Sequence, residues 1–325
     1  MAGTTLNLLV STHVALLHTV LDIAAGKADV TVLHDACPVY FGLTACAGGT
    51  LIAARNVGLD FRVVTPGLPR NAIWLLPHGS KTPEPYIAHP VLFDLHQIHA
   101  VGNWPFVVIG RGSRLAVFDI ATRQLAACFD LQSVLPPDLR RTDRPADPYH
   151  FNSISSAGGR LLVLAHNWQE GSFALELHCD AALGQLPVPV LHTIHRNLGH
   201  ASHDIVFDRG TLFVLDGEGG ALIARGHSAG RAQLSEQGTK PYPRGLIVMA
   251  DRLVVGYGSW SAEHADRATS PTRLCVLDRE SLELRLDLEL GPFGNPCALS
   301  LLETAAHQAE RGCGSSRVSA TLSFV

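Results

Sequence analysis

The sequence predicts an all-β fold, a single six-bladed β-propeller, from two repeated features. A short strand signature recurs six times, and its successive starts lie 41 to 56 residues apart. In the first five repeats a second apolar run opens nine or ten residues later. Self-similarity at this period in strand-forming sequence is typical of propeller blades. The six signatures begin at Phe41, His96, Asn152, His203, Arg244 and Pro296.

Each repeat has room for the four strands of a blade. Leu161–Ala165 is followed by Ser172–Leu177, and both are short, mainly apolar runs of strand length. The last signature lies so close to the C-terminus that its blade needs strands from elsewhere. We therefore expect the N-terminal strand Leu6–Ser11 to close the ring. Four-stranded blades arranged in this way leave few exposed strand edges.

Domain organisation follows from the extent of the repeats. We expect residues 1–304 to form one propeller domain and residues 305–325 to form a partly mobile tail, because Ala305–Arg317 is polar and unpatterned. Two long polar connections, Pro136–Pro148 and Trp260–Thr272, interrupt the strand pattern. Connections of this length are usually functional or disordered, and for the Arg/Asp run in the first the alternative is a solvated loop.

Composition favours a well-packed globular protein and limits the classes of partner. The chain is 46 % hydrophobic and 17 % charged, and its formal net charge is −4, which gives no reason to expect a nucleic acid or an anionic membrane as partner. Seven widely spaced cysteines without a CxxC pair argue against a disulfide framework or structural zinc site. The apolar N-terminus lacks a basic segment and is a poor signal peptide, so we expect a cytoplasmic location.

The repeat also predicts where chemistry would lie. The inner strand of a blade starts at one face, and the second strand returns to that face. The first residues of the six signatures, with His150 and Asp204 beside them, should therefore surround one axial mouth. A polar ring in a concave opening is the default hypothesis for a binding site. The ends of the second strands should add Arg55, Arg111, His166, Asp216 and Tyr257.

Residue types suggest roles within this mouth. His203 or His96 would be a base or metal ligand, and His150 a second acid–base group. Arg244 would clamp a carboxylate or phosphate, and Asp204 would orient an imidazole. A divalent metal would be held by His96, His150 and His203. The remaining residues expected to contact substrate are Phe41, Arg55, Arg111, Asn152 and Tyr257.

Each role has a structural alternative. The histidines are equally compatible with metal binding, with metal-free catalysis or binding, and with a purely structural ring. Arg244 can form a salt bridge to Asp204 instead of binding a ligand. Cys297 can be a nucleophile if an imidazole lowers its pKa, although a buried inert thiol is the commoner case.

Five short segments resemble an uncharacterised bacterial β-propeller family with HLNG-, PHSP…GRLWVLDSG- and RGLAF…LFVGLS-type strand motifs. His150, Asn152, His203 and Arg244 match motif residues of that family directly. Ser153 and Asp204 stand where the family has Gly and Ser, so the ligand at the mouth can differ. The resemblance implies a propeller and carries no activity. The similar segments are Tyr149–Ser153, Ser202–Ile205, Gly210–Gly217, Pro243–Val248 and Leu253–Ser259.

The sequence favours a metabolic or biosynthetic enzyme of the lyase, isomerase/cyclase or hydrolase type, acting on a small molecule at the mouth. The alternative is a non-catalytic propeller that binds a protein or glycan across the same face.

Overall fold

The computed structural model describes residues 5–57, 64–141, 146–179, 185–234, 240–261 and 265–302. Over these residues the chain forms six four-stranded antiparallel sheets arranged as a ring, which confirms the predicted six-bladed propeller. The predicted tail, residues 305–325, lies outside the described residues. Within the described ranges no helix is both long and apolar enough to cross a membrane.

Short turns join most of the strands, and longer connections precede β6, β12, β15 and β22. In chain order they are β1 (Thr5–Thr12), β2 (Leu16–Asp22), β3 (Lys27–His34), β4 (Val39–Cys46), β5 (Gly49–Arg55), β6 (Asn71–Pro77), β7 (Glu84–Ile87), β8 (Leu95–Val101), β9 (Trp104–Ile109), β10 (Arg114–Asp119), β11 (Gln124–Asp130), β12 (Phe151–Ala157), β13 (Arg160–Ala165), β14 (Phe173–His178), β15 (Val190–His195), β16 (His203–Asp208), β17 (Thr211–Asp216), β18 (Ala221–Gly226), β19 (Gly230–Gln233), β20 (Pro241–Val248), β21 (Arg252–Ser259), β22 (Thr272–Asp278), β23 (Leu284–Gly291) and β24 (Pro296–Leu301). Short 3₁₀ helices occur at Pro90–Leu92, Pro137–Leu139, Trp168–Glu170 and Ala265–Ala268.

The ring closes by pairing the two ends of the described chain. Strands β4, β8, β12, β16, β20 and β24 are the inner strands of blades 1 to 6, and they carry the six sequence signatures. The inner strand of blade 6, β24, pairs with β1, from Leu8 opposite Leu301 to Thr12 opposite Pro296. Strands β2 and β3 complete that blade. The N-terminal segment thus supplies three strands to the closing blade, of which the predicted strand is the first.

The inner strands share a bulge near the start of the signature. Phe41 has no partner between the pairs Tyr40–Ala54 and Gly42–Ala53, and Asn152, Asp204 and Cys297 take the same place in their strands. In β8 and β20 the irregularity covers two residues, His96 with Gln97 and Arg244 with Gly245. A bulge bends the strand and changes the direction of a side chain, so these bulges turn polar residues toward the axis.

The apolar core lies between neighbouring blades. Phe106 and Phe151 are fully buried in one cluster between blades 2 and 3, and Phe213 and Leu253 belong to another between blades 4 and 5. Inner strands approach closely at the axis: a Cβ on Gly42 of blade 1 would lie 2.8 Å from the Gln97 Cα of blade 2. Packing between blades leaves the axis itself available for polar groups.

Candidate functional site

A cavity of about 320 Å³ opens at the face where the inner strands begin, and we call it the mouth. It contains six residues predicted from the sequence: Phe41, Arg55, His96, Arg111, His150 and Arg244. Its other lining residues are His13, Val14, Pro38, Val39, Val57, Asp94, Asp147, Arg267 and Ala268. The predicted convergence of the signatures at one opening is therefore observed, although not every predicted residue reaches it.

His150 forms a carboxylate–imidazole pair at the mouth. Its Nδ1 lies 2.7 Å from Asp147 Oδ2, and its backbone N–H donates to Asp147 Oδ1 at 2.9 Å. His150 adopts a left-handed backbone conformation, with φ of 50°, that turns it back over the aspartate. Burial alone would raise the pKa of Asp147, but the hydrogen bond and charge of His150 lower it overall. An ionised Asp147 accepts from Nδ1–H, which leaves the lone pair of neutral His150 on Nε2.

Two further histidines surround this pair. The His96 and His150 ring centroids are 4.8 Å apart, and those of His150 and His166 are 5.6 Å apart. Burial, with a contribution from the His150 charge, lowers the pKa of His96 to about 4 and that of His166 to about 3. Phe41 stacks on His96 with centroids 4.9 Å apart. His96 and His166 are therefore neutral near pH 7 and pack beside the His150–Asp147 pair.

His203 lies beneath the mouth and is saturated with polar contacts. Asn152 Nδ2 donates to the Ser202 carbonyl at 3.0 Å and lies 3.0 Å from His203 Nδ1. The amide orientation is fixed because Ser153 Oγ donates to Asn152 Oδ1 at 2.9 Å. His203 Nδ1 thus accepts from Asn152, and Nε2 lies 2.9 Å from Tyr242 Oη and 3.0 Å from Arg244 Nη2. Burial and then the charge of Arg244 hold the pKa of His203 well below its usual value.

One buried and one half-buried guanidinium group, those of Arg244 and Arg267, lie near His203. Arg244 is 8 % exposed, and its Nη2 donates to Tyr242 Oη at 3.1 Å. The guanidinium of Arg267 lies 5.2 Å from the centre of the Tyr242 ring. Within the described parts of the chain, Nε of each arginine has no hydrogen-bond partner and neither side chain forms an ion pair. Among the described residues, no carboxylate therefore forms an ion pair with either guanidinium group.

Asp204 has a different place from the one predicted. Its carboxylate accepts from Gln97 Nε2 of blade 2 and, at 2.7 Å, from the Gly245 N–H of blade 5. Its own N–H donates to Ser153 Oγ of blade 3 at 2.9 Å. It orients no imidazole and forms no salt bridge to Arg244 among the described residues, because Gln97 and Gly245 already occupy its oxygens. Burial, offset in part by these hydrogen bonds, raises the pKa of Asp204. The residue ties four blades together under the mouth.

Two other predicted positions lie away from the mouth. Tyr257 Oη donates to Asp287 Oδ1 at 2.6 Å and accepts from Arg273 Nε at 2.9 Å, inside blade 5. Asp216 accepts from Arg231 Nη2 at 2.8 Å in a separate cavity. The residues predicted at the ends of the second strands of blades 1 and 2, Arg55 and Arg111, reach the mouth. Those of blades 5 and 4, Tyr257 and Asp216, do not.

The cysteine beside the mouth has the properties of an inert thiol. Burial raises the pKa of Cys297 to about 11, although the nearby Arg244 charge opposes that rise. Its Sγ lies 3.6 Å from His13 Nδ1, but that nitrogen is also 3.0 Å from the Asn295 carbonyl. A base directed at the thiol is therefore not part of this arrangement.

The predicted metal ligands do not form a shared site. Over the residues that the structure describes, no three His, Cys, Asp or Glu side chains are arranged to hold a metal ion. His203 directs both ring nitrogens at protein groups, and Nδ1 of His96 lies 3.1 Å from the Asp94 carbonyl. The divalent metal stays a prediction, for which metal analysis of the purified protein is the test.

Several residues at the site were not predicted from the sequence. Asp147 and Arg267 belong to the two long polar connections, and that length was the available signal for them. Asp94 stands two residues before His96, immediately ahead of an inner strand. Tyr242 and Gln97 were not singled out, because nothing in their local sequence separates a hydrogen-bonding residue at the axis from an ordinary strand residue.

Comparison with known proteins supports the fold. No family model and no curated protein matches the sequence. Solved structures with similar folds include one from a nidogen/laminin complex, with a TM-score of 0.59 and 13% identity, covering 91% of this chain and 97% of the other.

Two bacterial structures are similar to the same extent. A "putative 6-phosphogluconolactonase" of Bacteroides fragilis gives a TM-score of 0.55 and 12% identity over 92% of this chain and 98% of the other. A protein from Lactobacillus plantarum gives 0.58 and 11%, over 92% and 100%. At these identities the similarity shows a shared propeller fold, which by itself does not select between catalysis and binding.

Proposed function

We propose that the mouth is the active site of an enzyme that transfers a proton to or from a small anionic substrate, in a reaction of the lyase, isomerase/cyclase or hydrolase type. The observation that carries the proposal is the His150–Asp147 pair on the wall of the same cavity as Arg244 and Arg267. A proton acceptor, and cations that form no ion pair with any described carboxylate, are the two components that such chemistry needs in one small cavity.

The roles follow from the geometry. His150 Nε2 takes a proton from a substrate C–H or O–H bond or from water, and the imidazolium that forms is stabilised by Asp147 at Nδ1. The electron pair left on the substrate is stabilised by Arg244, which is buried, and by Arg267, which is half-buried, so that water screens their charges less than at the open surface. The proton returns from Nε2 to the product or to the leaving group. The neutral rings of His96 and His166 make the cavity wall beside His150.

The test combines a ligand screen with one substitution. Small carboxylic and phosphorylated metabolites are screened by thermal shift, and the compounds that bind are incubated in D₂O and followed by NMR for deuterium incorporation or product. We expect His150→Gln to lower turnover by about 10²–10⁴-fold, the usual contribution of a general base. His192→Gln, an exposed histidine on an outer strand, is the matched control and should leave turnover unchanged.

Two results would contradict the proposal. Turnover that survives His150→Gln would remove the proposed base. Binding of a protein or glycan at the mouth, with no turnover of any ligand that binds there, would support the non-catalytic alternative.

A further inference from the structure

One side of the mouth is apolar. The five apolar lining residues that blades 6 and 1 contribute form what we call the apolar wall: Val14, Pro38, Val39, Phe41 and Val57. Val14 lies in the turn between β1 and β2 of blade 6, and the other four lie around the start of β4 or just after β5 in blade 1. Val14, Pro38 and Phe41 are only half-buried, so part of their apolar surface faces the cavity.

Blades 6 and 1 also contribute two polar lining residues, His13 and Arg55, and both have partners in the protein. His13 Nδ1 lies 3.0 Å from the Asn295 carbonyl oxygen. The charge of Asp94, just before the inner strand of blade 2, favours the charged form of Arg55. The proton acceptor and the two cations of the proposed function belong to blades 3 and 5, so the apolar wall occupies its own sector of the ring.

The apolar wall reaches the proton acceptor through ring contacts. The Phe41 ring stacks on His96, with centroids 4.9 Å apart and planes 28° apart. The His96 and His150 centroids are in turn 4.8 Å apart. Because burial lowers the pKa of His96 to about 4, its ring is neutral near pH 7 and extends the surface of Phe41 toward His150. An apolar group against the wall therefore lies close to the site of proton transfer.

A small cavity with both kinds of lining favours a molecule with both kinds of surface. An apolar group that covers the wall removes apolar surface from water, whereas a molecule covered with hydroxyl groups gains little from the same contact. The volume of about 320 Å³ is near the lower end of the range for small-molecule sites, about 300–1,000 Å³. It suits one ring or a short branched chain that bears an anionic group.

We propose that the substrate is a small amphipathic anion, whose charged group is held by Arg244 and Arg267 and whose single aryl or short branched alkyl group packs against the apolar wall. This inference rests on the proposed function and specifies its substrate class. The charged group is a carboxylate or a phosphate monoester, since guanidinium groups bind both through paired N–H donors. Sugar acids and sugar phosphates fall outside this class.

The experiment measures binding of matched probes by calorimetry. Phenylacetate, isovalerate and phenyl phosphate carry a charge and an apolar group, whereas acetate, gluconate and glycerol 3-phosphate carry the charge without it. Phenylacetamide carries the ring without the charge. We expect at least one amphipathic anion to bind about ten-fold or more tightly than its hydrophilic counterpart, and phenylacetate to bind about ten-fold or more tightly than phenylacetamide. The carboxylate and phosphate arms distinguish the two sources of charge.

Substitutions assign the two ends of the ligand. Phe41→Ala should weaken binding of the amphipathic anions about five-fold or more while leaving acetate within about two-fold. The isosteric Val14→Thr, in an exterior turn, should reduce the same preference without a cavity in the core, so it serves if Phe41→Ala does not fold. Arg244→Gln should weaken every charged probe. Phe207→Ala is the matched control, because Phe207 is exposed near the far end of β16, and it should change neither preference.

The outcomes separate this inference from the proposed function. If no amphipathic anion binds more tightly than its hydrophilic counterpart, or if folded Phe41→Ala and Val14→Thr both keep the preference, the amphipathic class is overturned. Acetate or gluconate binding that depends on Arg244 would then still support the mouth as an anion site. If Arg244→Gln leaves the binding of every charged probe unchanged, the proposed function itself is contradicted.

Discussion

We call His150 and Asp147, which line the mouth, its rim, and the buried His203 and Asp204 beneath them its floor. The two differ in how many of their polar atoms form hydrogen bonds within the protein. At the rim, the His150 side chain is 23% exposed, and one ring nitrogen is bound to Asp147. On the floor, His203 is 4% exposed, and both of its ring nitrogens contact protein groups. Asp204 on the floor is likewise bound by two donors. Among the described residues Nε2 of His150 has no hydrogen-bond partner and can bind a ligand, whereas the floor uses its polar atoms to hold blades together.

This difference teaches that residues at equivalent repeat positions need not share a role. His96 and His203 are the first residues of two of the sequence signatures, and from the sequence both were candidates for base or metal ligand. In the structure His96 lines the mouth, whereas both ring nitrogens of His203 contact protein groups. Hydrogen-bond saturation, more than residue type, therefore separates candidate chemistry from structure in this propeller.

The largest expected loss of stability comes from removing apolar packing between two blades. Leu212, in the cluster between blades 3 and 4, is 5 % exposed and packs with Leu164, Ile205 and Val214. Leu212→Ala should lower the free energy of unfolding by about 2–5 kcal/mol, because the cavity it leaves is only partly filled by relaxation. Urea denaturation at pH 7.5 measures the change, and the fraction that remains folded should still bind anions. A loss below about 1 kcal/mol would show that blade packing is not the main source of stability.

Substitutions of His203 on the floor and His150 at the rim should differ in their effect on stability. His203→Ala should destabilise by about 1–3 kcal/mol, because Asn152, Tyr242 and Arg244 each lose a buried contact. His150→Gln should change the free energy of unfolding by no more than about 0.5 kcal/mol. From the sequence, His203 was expected to be a mouth residue that acts as a base or metal ligand, whereas its burial and its protein contacts predict a role in stability. Equal losses for the two variants would abolish the distinction drawn above.

The same distinction predicts how stability depends on pH. Burial lowers the pKa values of His96, His166 and His203, so the folded state binds fewer protons than the unfolded state below about pH 6.5. The contribution of these histidines to the free energy of unfolding should therefore be complete above that pH. It should fall as the pH decreases toward 4, by up to about 1.4 kcal/mol per pH unit for each histidine. Asp204 acts in the opposite direction, because its raised pKa favours folding at acid pH.

The variant His203→Gln isolates the contribution of His203 to the pH dependence of stability. His203→Gln should have a shallower loss of stability between pH 7 and 5 than the wild-type protein, whereas His192→Gln should keep the wild-type slope. Melting curves recorded across this range are sufficient. A His203→Gln slope as steep as that of the wild-type protein would mean that His203 is protonated equally in the folded and unfolded states.

The sequence predicted the ring but not the depth of its residues. The repeat of apolar runs fixed six inner strands and one common mouth, because strand direction follows from alternation and turn length. It could not show that Asn152 and His203 bind each other or that Gln97 reaches Asp204, since these contacts join residues 51 and 107 positions apart. Tyr257 was placed at the mouth by repeat logic, but its hydroxyl is drawn into blade 5 by Asp287 and Arg273.

The smallest expected effect concerns Cys297, at the bulge of the closing strand. A thiol with a pKa of about 11 is a thiolate in only about one molecule in a few thousand at pH 7.5, so it is a poor nucleophile there. Cys297→Ala should leave anion binding and turnover within two-fold of the wild-type values. In the folded protein, a thiol reagent should modify the exposed Cys128 first and Cys297 only on unfolding. Rapid modification of Cys297 that is prevented by a bound anion would instead place this thiol at the reacting centre, among the residues that a ligand can reach.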